Sequence, residues 1–142
     1  MSQPVARQGD LITTTCEHQV QGKPPDPAAP PVVAPVSHPF NAMFDQQLSQ
    51  KVKIDGKLVV LKGSTGLAKV HLPLPPPGTV AIGFVKPPNN QAEVFQGSKT
   101  VRIEGKPVAR IGDPVKTCSE LPPPHGVIAP APGKPTQVFI GG

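Results

Sequence analysis

Residues 100–113 read TVRIEGKPVARIGD and residues 51–64 read KVKIDGKLVVLKGS. Aligned without gaps, Val101, Ile103, Gly105, Lys106, Val108 and Gly112 fall opposite Val52, Ile54, Gly56, Lys57, Val59 and Gly63. The chain also begins with PVARQGD, the second half of this unit, and ends with QVFIGG, which resembles its first half. Within each copy the apolar residues alternate with the period of a half-buried strand. Asp55-Gly56 and Glu104-Gly105 are turn signals between two apolar runs, so each copy predicts a tight β-hairpin. Gly9-Asp10, Gly63-Ser64 and Gly112-Asp113 close the units with a glycine that accepts positive φ. No stretch carries a sustained helical period. The best helical candidate is 41–50, where Met43, Phe44 and Leu48 share a side, and it would be short.

A disordered chain has no reason to keep such a repeat, and this matters because the composition leans the other way. Proline (22) and glycine (14) make up about a quarter of the 142 residues, the range where disorder becomes a serious prior. There is no Trp or Tyr and only five Phe, so the core is mainly aliphatic and small. Such a fold calls for an additional staple. The Pro-rich stretches 21–39, 72–79 and 121–135 favour extended polyproline-like conformations and read as stiff struts between strand pairs. The net charge of +5 is spread along the strands without interleaved aromatics, which argues against a nucleic-acid partner.

The transition-metal donors are Cys16, His18, His38, His71, Cys118 and His125. Each is read as lying in a turn or loop after a repeat unit, with none on a strand face. A fold whose loops converge would bring them to one point, where a structural zinc takes four nitrogen or sulfur ligands. Spacing alone leaves the set open, since there is no CxxC or HxxxH. The N-terminus lacks a charged segment followed by an apolar run, so synthesis in the cytoplasm without a Sec-type leader is expected. There, reduced thiols are better placed to bind metal than to pair. No HExxH, GxSxG or P-loop occurs. Asp10, Asp45, Asp55 and Asp113 read as turn or surface residues, and the expectation is that the chain is not an enzyme.

Pro4-Val5-Ala6-Arg7 and Pro107-Val108-Ala109-Arg110, in register with the V-x-I-x-G-K and GD elements, resemble the repeats that name the PAAR family. The middle copy has Leu58-Val59-Val60-Leu61, which lacks the Pro and the Arg. The resemblance spans the chain as a single domain, 1–142, with Pro-rich insertions at about 21–39 and 72–92. It implies an all-β fold: a small cone of short hairpins with Pro-rich loops and an apical structural zinc. It implies a tip that caps a VgrG-type trimeric spike, one tip per trimer, in type VI secretion or a related contractile injection system. That tip would be delivered outward, meet the target membrane transiently, and carry effectors or adaptors non-covalently if at all. The family's three-His, one-Cys zinc set maps here onto His18, His38, His71 and Cys118, with Cys16 and His125 as competing donors. A cone seated on a trimer needs three similar sides, so the N- and C-terminal strands are expected to lie together and complete the third. The competing reading is a Pro-rich adaptor for SH3-like partners, which a chain without regular structure would favour.

Overall fold

The computed structural model describes residues 2–133 and 135–142. Its elements, in chain order, are β1 (Gln3–Pro4), β2 (Leu11–Lys23), β3 (Val32–Met43), β4 (Lys53–Ile54), β5 (Lys57–Leu58), β6 (Thr65–Leu67) and β7 (Val80–Phe84). They continue with β8 (Gln91–Val94), β9 (Arg102–Ile103), β10 (Lys106–Pro107), β11 (Pro114–Lys116), β12 (Gly126–Val127) and β13 (Phe139–Ile140). The fold is all-β, with no helix among the described residues. The helix expected over 41–50 is absent. Phe44 instead exchanges two backbone hydrogen bonds with the first turn, donating to Asp10 O and accepting from Gly9 N. Tertiary pairing outweighs a weak local helical pattern.

Both internal repeats form the predicted hairpins, β4–β5 and β9–β10. Asp55 and Gly56 have φ of 55° and 77°, and Glu104 and Gly105 have 55° and 80°. Two successive positive φ values give a turn whose twist matches the strands. The terminal half-copies supply the third pair, with Gln3 opposite Ile140 and Pro4 opposite Phe139. The chain is open there, where the other two sides have a turn.

The three PVAR-level segments lock into a ring. Ala6 N donates to Ala109 O (3.0 Å), Ala109 N to Val60 O (2.9 Å) and Val60 N to Ala6 O (3.0 Å). Around it, Gln8, Lys62 and Ile111 donate to the carbonyls of Leu58, Pro107 and Pro4. Single bridges pair Val5 with Arg110, Arg7 with Val59, and Leu61 with Val108. Each copy therefore meets the next through equivalent positions, a pseudo-threefold arrangement within one chain. The turn glycines repeat too: φ is 94° at Gly9, 92° at Gly63 and 95° at Gly112. Asp10, Ser64 and Asp113 each accept the backbone N–H three residues earlier through a side-chain oxygen, at 2.7, 2.8 and 2.7 Å. Any short oxygen-bearing side chain serves, so Ser64 stands in for Asp.

Past these turns the strands close on one another. The ladders β2–β3, β6–β8, β8–β11 and β11–β12 are joined by the bridges Ala42–Ala68 and Leu11–Ala129. Among the described residues the result is a closed circuit with no free edge at that level. Its interior holds Ile12, Phe40, Phe44, Val94, Val115 and Ile128, all buried. A second cluster of Val5, Val59, Leu61, Val108 and Ile140 lies on the hairpin side of the Ala6–Val60–Ala109 ring. Burial of each large aliphatic or Phe side chain contributes about 1.5–3 kcal/mol, so two small cores must hold 142 residues.

The Pro-rich segment 21–39 departs from the strut expectation: most of it belongs to the long β2–β3 hairpin, and β7 extends the same sheet along β2. Pro35 and Pro39 sit in β3, an edge strand of the β3-β2-β7 sheet. A residue without N–H is tolerated at such an edge. Strands from Gln3 to Ile140 remove the lack of regular structure that would have favoured the adaptor reading.

Candidate metal centre

Because the three repeats run parallel to one pseudo-axis, residues a similar distance past each turn arrive at the same height. Cys16 and His18 lie six and eight residues beyond Asp10, His71 seven beyond Ser64, and Cys118 five beyond Asp113. The donor atoms of Cys16, His18, His71 and Cys118 all lie within 4.8 Å of one another. Cys118 Sγ is 3.6 Å from His18 Nε2, 3.5 Å from His71 Nε2 and 3.8 Å from Cys16 Sγ. Zn–S of about 2.3 Å and Zn–N of about 2.0 Å, arranged tetrahedrally, put sulfur and nitrogen roughly 3.5 Å apart and two sulfurs roughly 3.8 Å apart. The cluster has the dimensions of a metal site.

Cys16, His18 and His38 lie on strands, not in loops as expected. On β2 the even-numbered residues from Ile12 to Gly22 point inward, and Cys16 pairs across the ladder with His38 of β3. The two-residue spacing of Cys16 and His18 in a period-two strand was the signal that both face inward. His71 follows β6 and Cys118 follows β11, both in irregular segments.

His38 packs against the cluster. Its ring centre is 5.5 Å from that of His18 and 5.6 Å from that of His71, while His18 and His71 are 5.2 Å apart. His38 Nδ1 faces Val36 O at 2.9 Å, and its Nε2 accepts the Leu74 N–H at 3.0 Å. His125 stands apart from the cluster. Its Nδ1 accepts the Thr117 N–H at 2.7 Å and its Nε2 faces Leu121 O, so it orders the segment that carries Cys118.

The electrostatics suit a cation-binding site. Burial lowers the His18 and His38 titrations below the ordinary 6.5, so both rings are neutral at pH 7 and each keeps one nitrogen lone pair as an acceptor. The Cys118 thiol is drawn down to about 6, first by the hydrogen bond with Cys16 and then by His71, against its burial. Cys16 is pushed up, first by that same bond and then by desolvation. Cys118 is thus the natural thiolate of the pair. His18 Nδ1 has no hydrogen-bond partner, and Glu120 Oε2 stands 3.5 Å from it, an acceptor poised to fix the ring with Nε2 inward. Phe84 packs on His18 and His38, with ring centres 5.5 and 5.3 Å away, and Phe40 packs on His71. These rings make one side of the surroundings apolar, while His18 and Cys118 border a cleft shared with Lys86, Lys116 and Glu120.

The protein-family comparison fits this architecture. Residues 86–142 match the family model described as PAAR motif. The C-terminal part of the chain carries a PAAR motif. The matched span takes in β9–β10, the third PVAR segment, Cys118 and the C-terminal strand that pairs with β1. No curated protein and no solved structure matches the chain. A PAAR motif supports a spike-tip role in a secretion system, and a metal-binding Cys/His cluster accords with it.

The middle copy shows what the repeat preserves. Arg7 reaches Asp55 at 2.8 Å and Arg110 binds Asp113 at 2.9 Å. Leu61, at the equivalent place, is buried in the hairpin-side cluster instead. An ion pair and an aliphatic contact fill the same position, while the backbone ring is common to all three copies.

Proposed function

We propose that the chain is the metal-stapled tip of a contractile injection system, seated on a VgrG-type trimeric spike and sharpening it for membrane puncture. The observation that carries this reading is the cyclic Ala6–Val60–Ala109 hydrogen bonding. A single chain offers three equivalent edges only if it is internally threefold, and a homotrimeric end needs such a cap. The hairpins β4–β5, β9–β10 and the β1–β13 pair form the contact face, and the donor cluster lies toward the opposite end. Effectors or adaptors travel non-covalently if they travel at all, and the assembled tip is delivered outward. Co-expression with a spike trimer tests the docking: the chain should co-purify, and Phe139→Asp, in the exposed part of the terminal pair, should weaken the complex.

The metal in this reading is zinc, acting as a fold staple and not in chemistry. Its proposed ligands are His18, His38, His71 and Cys118. Three imidazoles on one tetrahedral ion put their ring centres roughly 5.2 Å apart, close to the spacing of the three rings. With His38 Nδ1–H donated to Val36 O, its Nε2 keeps a lone pair; ligation requires that Leu74 N–H yield its place and that the ring close onto the four-donor cluster, which it lies beside. A second reading puts Cys16 in the fourth position, favoured by the 3.8 Å sulfur separation. Cobalt substitution separates the two. One thiolate ligand gives half the sulfur-to-metal charge-transfer intensity of two, and Cys16→Ser leaves the spectrum unchanged only in the first case.

A further inference from the structure

Four donors form the cluster with His38 packed beside it, and two of the four are free cysteines within reach of each other. Cys16 Sγ and Cys118 Sγ are 3.8 Å apart, although they lie 102 residues apart in sequence. Cys16 is buried on the rigid β2 strand. Cys118 sits in a bend just after β11, is half-buried, and lines a cleft of about 310 Å³ together with Lys86, Lys116 and Glu120. One sulfur is therefore reachable from solvent, and the other is reachable only through the first. A disulfide needs the sulfurs to close to about 2.05 Å, which movement of the bend can supply without disturbing β2.

We propose that Cys16 and Cys118 form a redox pair in which a peroxide joins them as a disulfide, releases the metal, and leaves the covalent bond as the staple. In the first step the Cys118 sulfur attacks the peroxide O–O bond. Cys118–SH and H2O2 give Cys118–SOH and one water. In the second, the Cys16 sulfur displaces the hydroxyl: Cys118–SOH and Cys16–SH give the disulfide and a second water. Two electrons pass from the sulfurs to the peroxide; the balance closes for the two thiols, and where Cys118 starts as the metal's thiolate one proton is taken from solvent as the metal leaves as its hydrated dication. Cys118 belongs to both ligand sets, so its oxidation removes a ligand whichever set holds the metal. The new bond ties β2 to the post-β11 bend, the same two segments that the metal joins, and closes most of the chain into one loop. The release step rests on the metal reading above; the pairing of the sulfurs does not.

The test treats the purified chain with hydrogen peroxide, once as isolated and once after chelation, and maps its peptides without reduction. A Cys16–Cys118 linked peptide, with the chain remaining monomeric, supports the pair. In the metal-loaded chain, one metal ion should appear in solution per disulfide formed. The oxidised chain should also melt above its chelated, reduced form. Cys16→Ala should stop the reaction at Cys118 sulfenic acid, trapped by dimedone. If that variant does not fold, the peptide map of the unmodified chain decides alone. Over-oxidation of Cys118 with Cys16 still reduced, or cross-linking only between chains, overturns the pair. A disulfide that forms while the metal stays bound overturns the release step. Absence of metal in the isolated chain counts against the zinc reading, and the presence or absence of the linked peptide then decides the pair.

Discussion

Ala6 N–H donates to Ala109 O at 3.0 Å, joining the first PVAR segment to the last across 103 residues of sequence. Both side chains are fully buried, and the third member of the ring, Val60, is equally so. The three side chains where the backbones meet are Ala, Val and Ala, with none exposed. Ala109→Leu should therefore overpack this point and lower stability by about 1–3 kcal/mol, read as a lower urea midpoint. An unchanged midpoint would mean that the ring is looser than its hydrogen bonds imply.

A second close approach lies at Gly66. A Cβ there would land on the carbonyl oxygen of Met43, whereas one at Gly83 would meet nothing. Backbone cannot swing aside as a side chain can, so Gly66→Ala should cost about 1–3 kcal/mol. Gly83→Ala, on the β7 edge, should stay within about 0.5 kcal/mol. Thermal melts of the two variants compare them directly.

The buried imidazoles set a pH dependence. His18 and His38 have folded-state titrations below the ordinary 6.5 because burial disfavours their charged forms. Between that depressed value and 6.5 the unfolded chain binds more protons than the folded one. Stability of the metal-free chain should thus be fully present above pH 6.5 and fall as the pH drops below it. Metal retention should weaken in the same direction, because protonation competes for the ligand lone pairs. Melting points from pH 8 to pH 5, with and without chelator, would check both; a flat profile would contradict the burial account.

His125 and Cys118 should separate cleanly. Cys118→Ser removes the thiolate common to both ligand sets and should abolish stoichiometric metal. His125→Ala should leave the metal in place. It should cost only about 1 kcal/mol, because the Thr117 N–H loses its 2.7 Å acceptor. Metal analysis of the two variants is the measurement. Loss of metal from both would put His125 closer to the site than its hydrogen bonds place it.

The hairpins and their meeting at the termini were legible because they are local patterns: a turn signal, an alternation, and a half-copy at each end. The survival of the middle copy without Pro or Arg was legible for the same reason, since the ring uses backbone atoms. The long β2–β3 hairpin was hidden by its prolines, which read as struts until β3 is known to be an edge. The backbone pairing of Phe44, just past β3, was hidden because its partners, Gly9 and Asp10, are remote in sequence. Among the donors, the Cys16/His18 alternation carried the signal that both face inward. What it could not carry was the ranking of Cys16 against His38, which depends on fractions of an ångström between strands.

The central claim is that one internally threefold chain caps a homotrimer. Light scattering on the purified complex with a VgrG-type spike measures its mass directly. The account predicts one chain per three spike chains, the metal remaining bound. Three chains per trimer, or a folded, metal-loaded chain that does not associate, would contradict it.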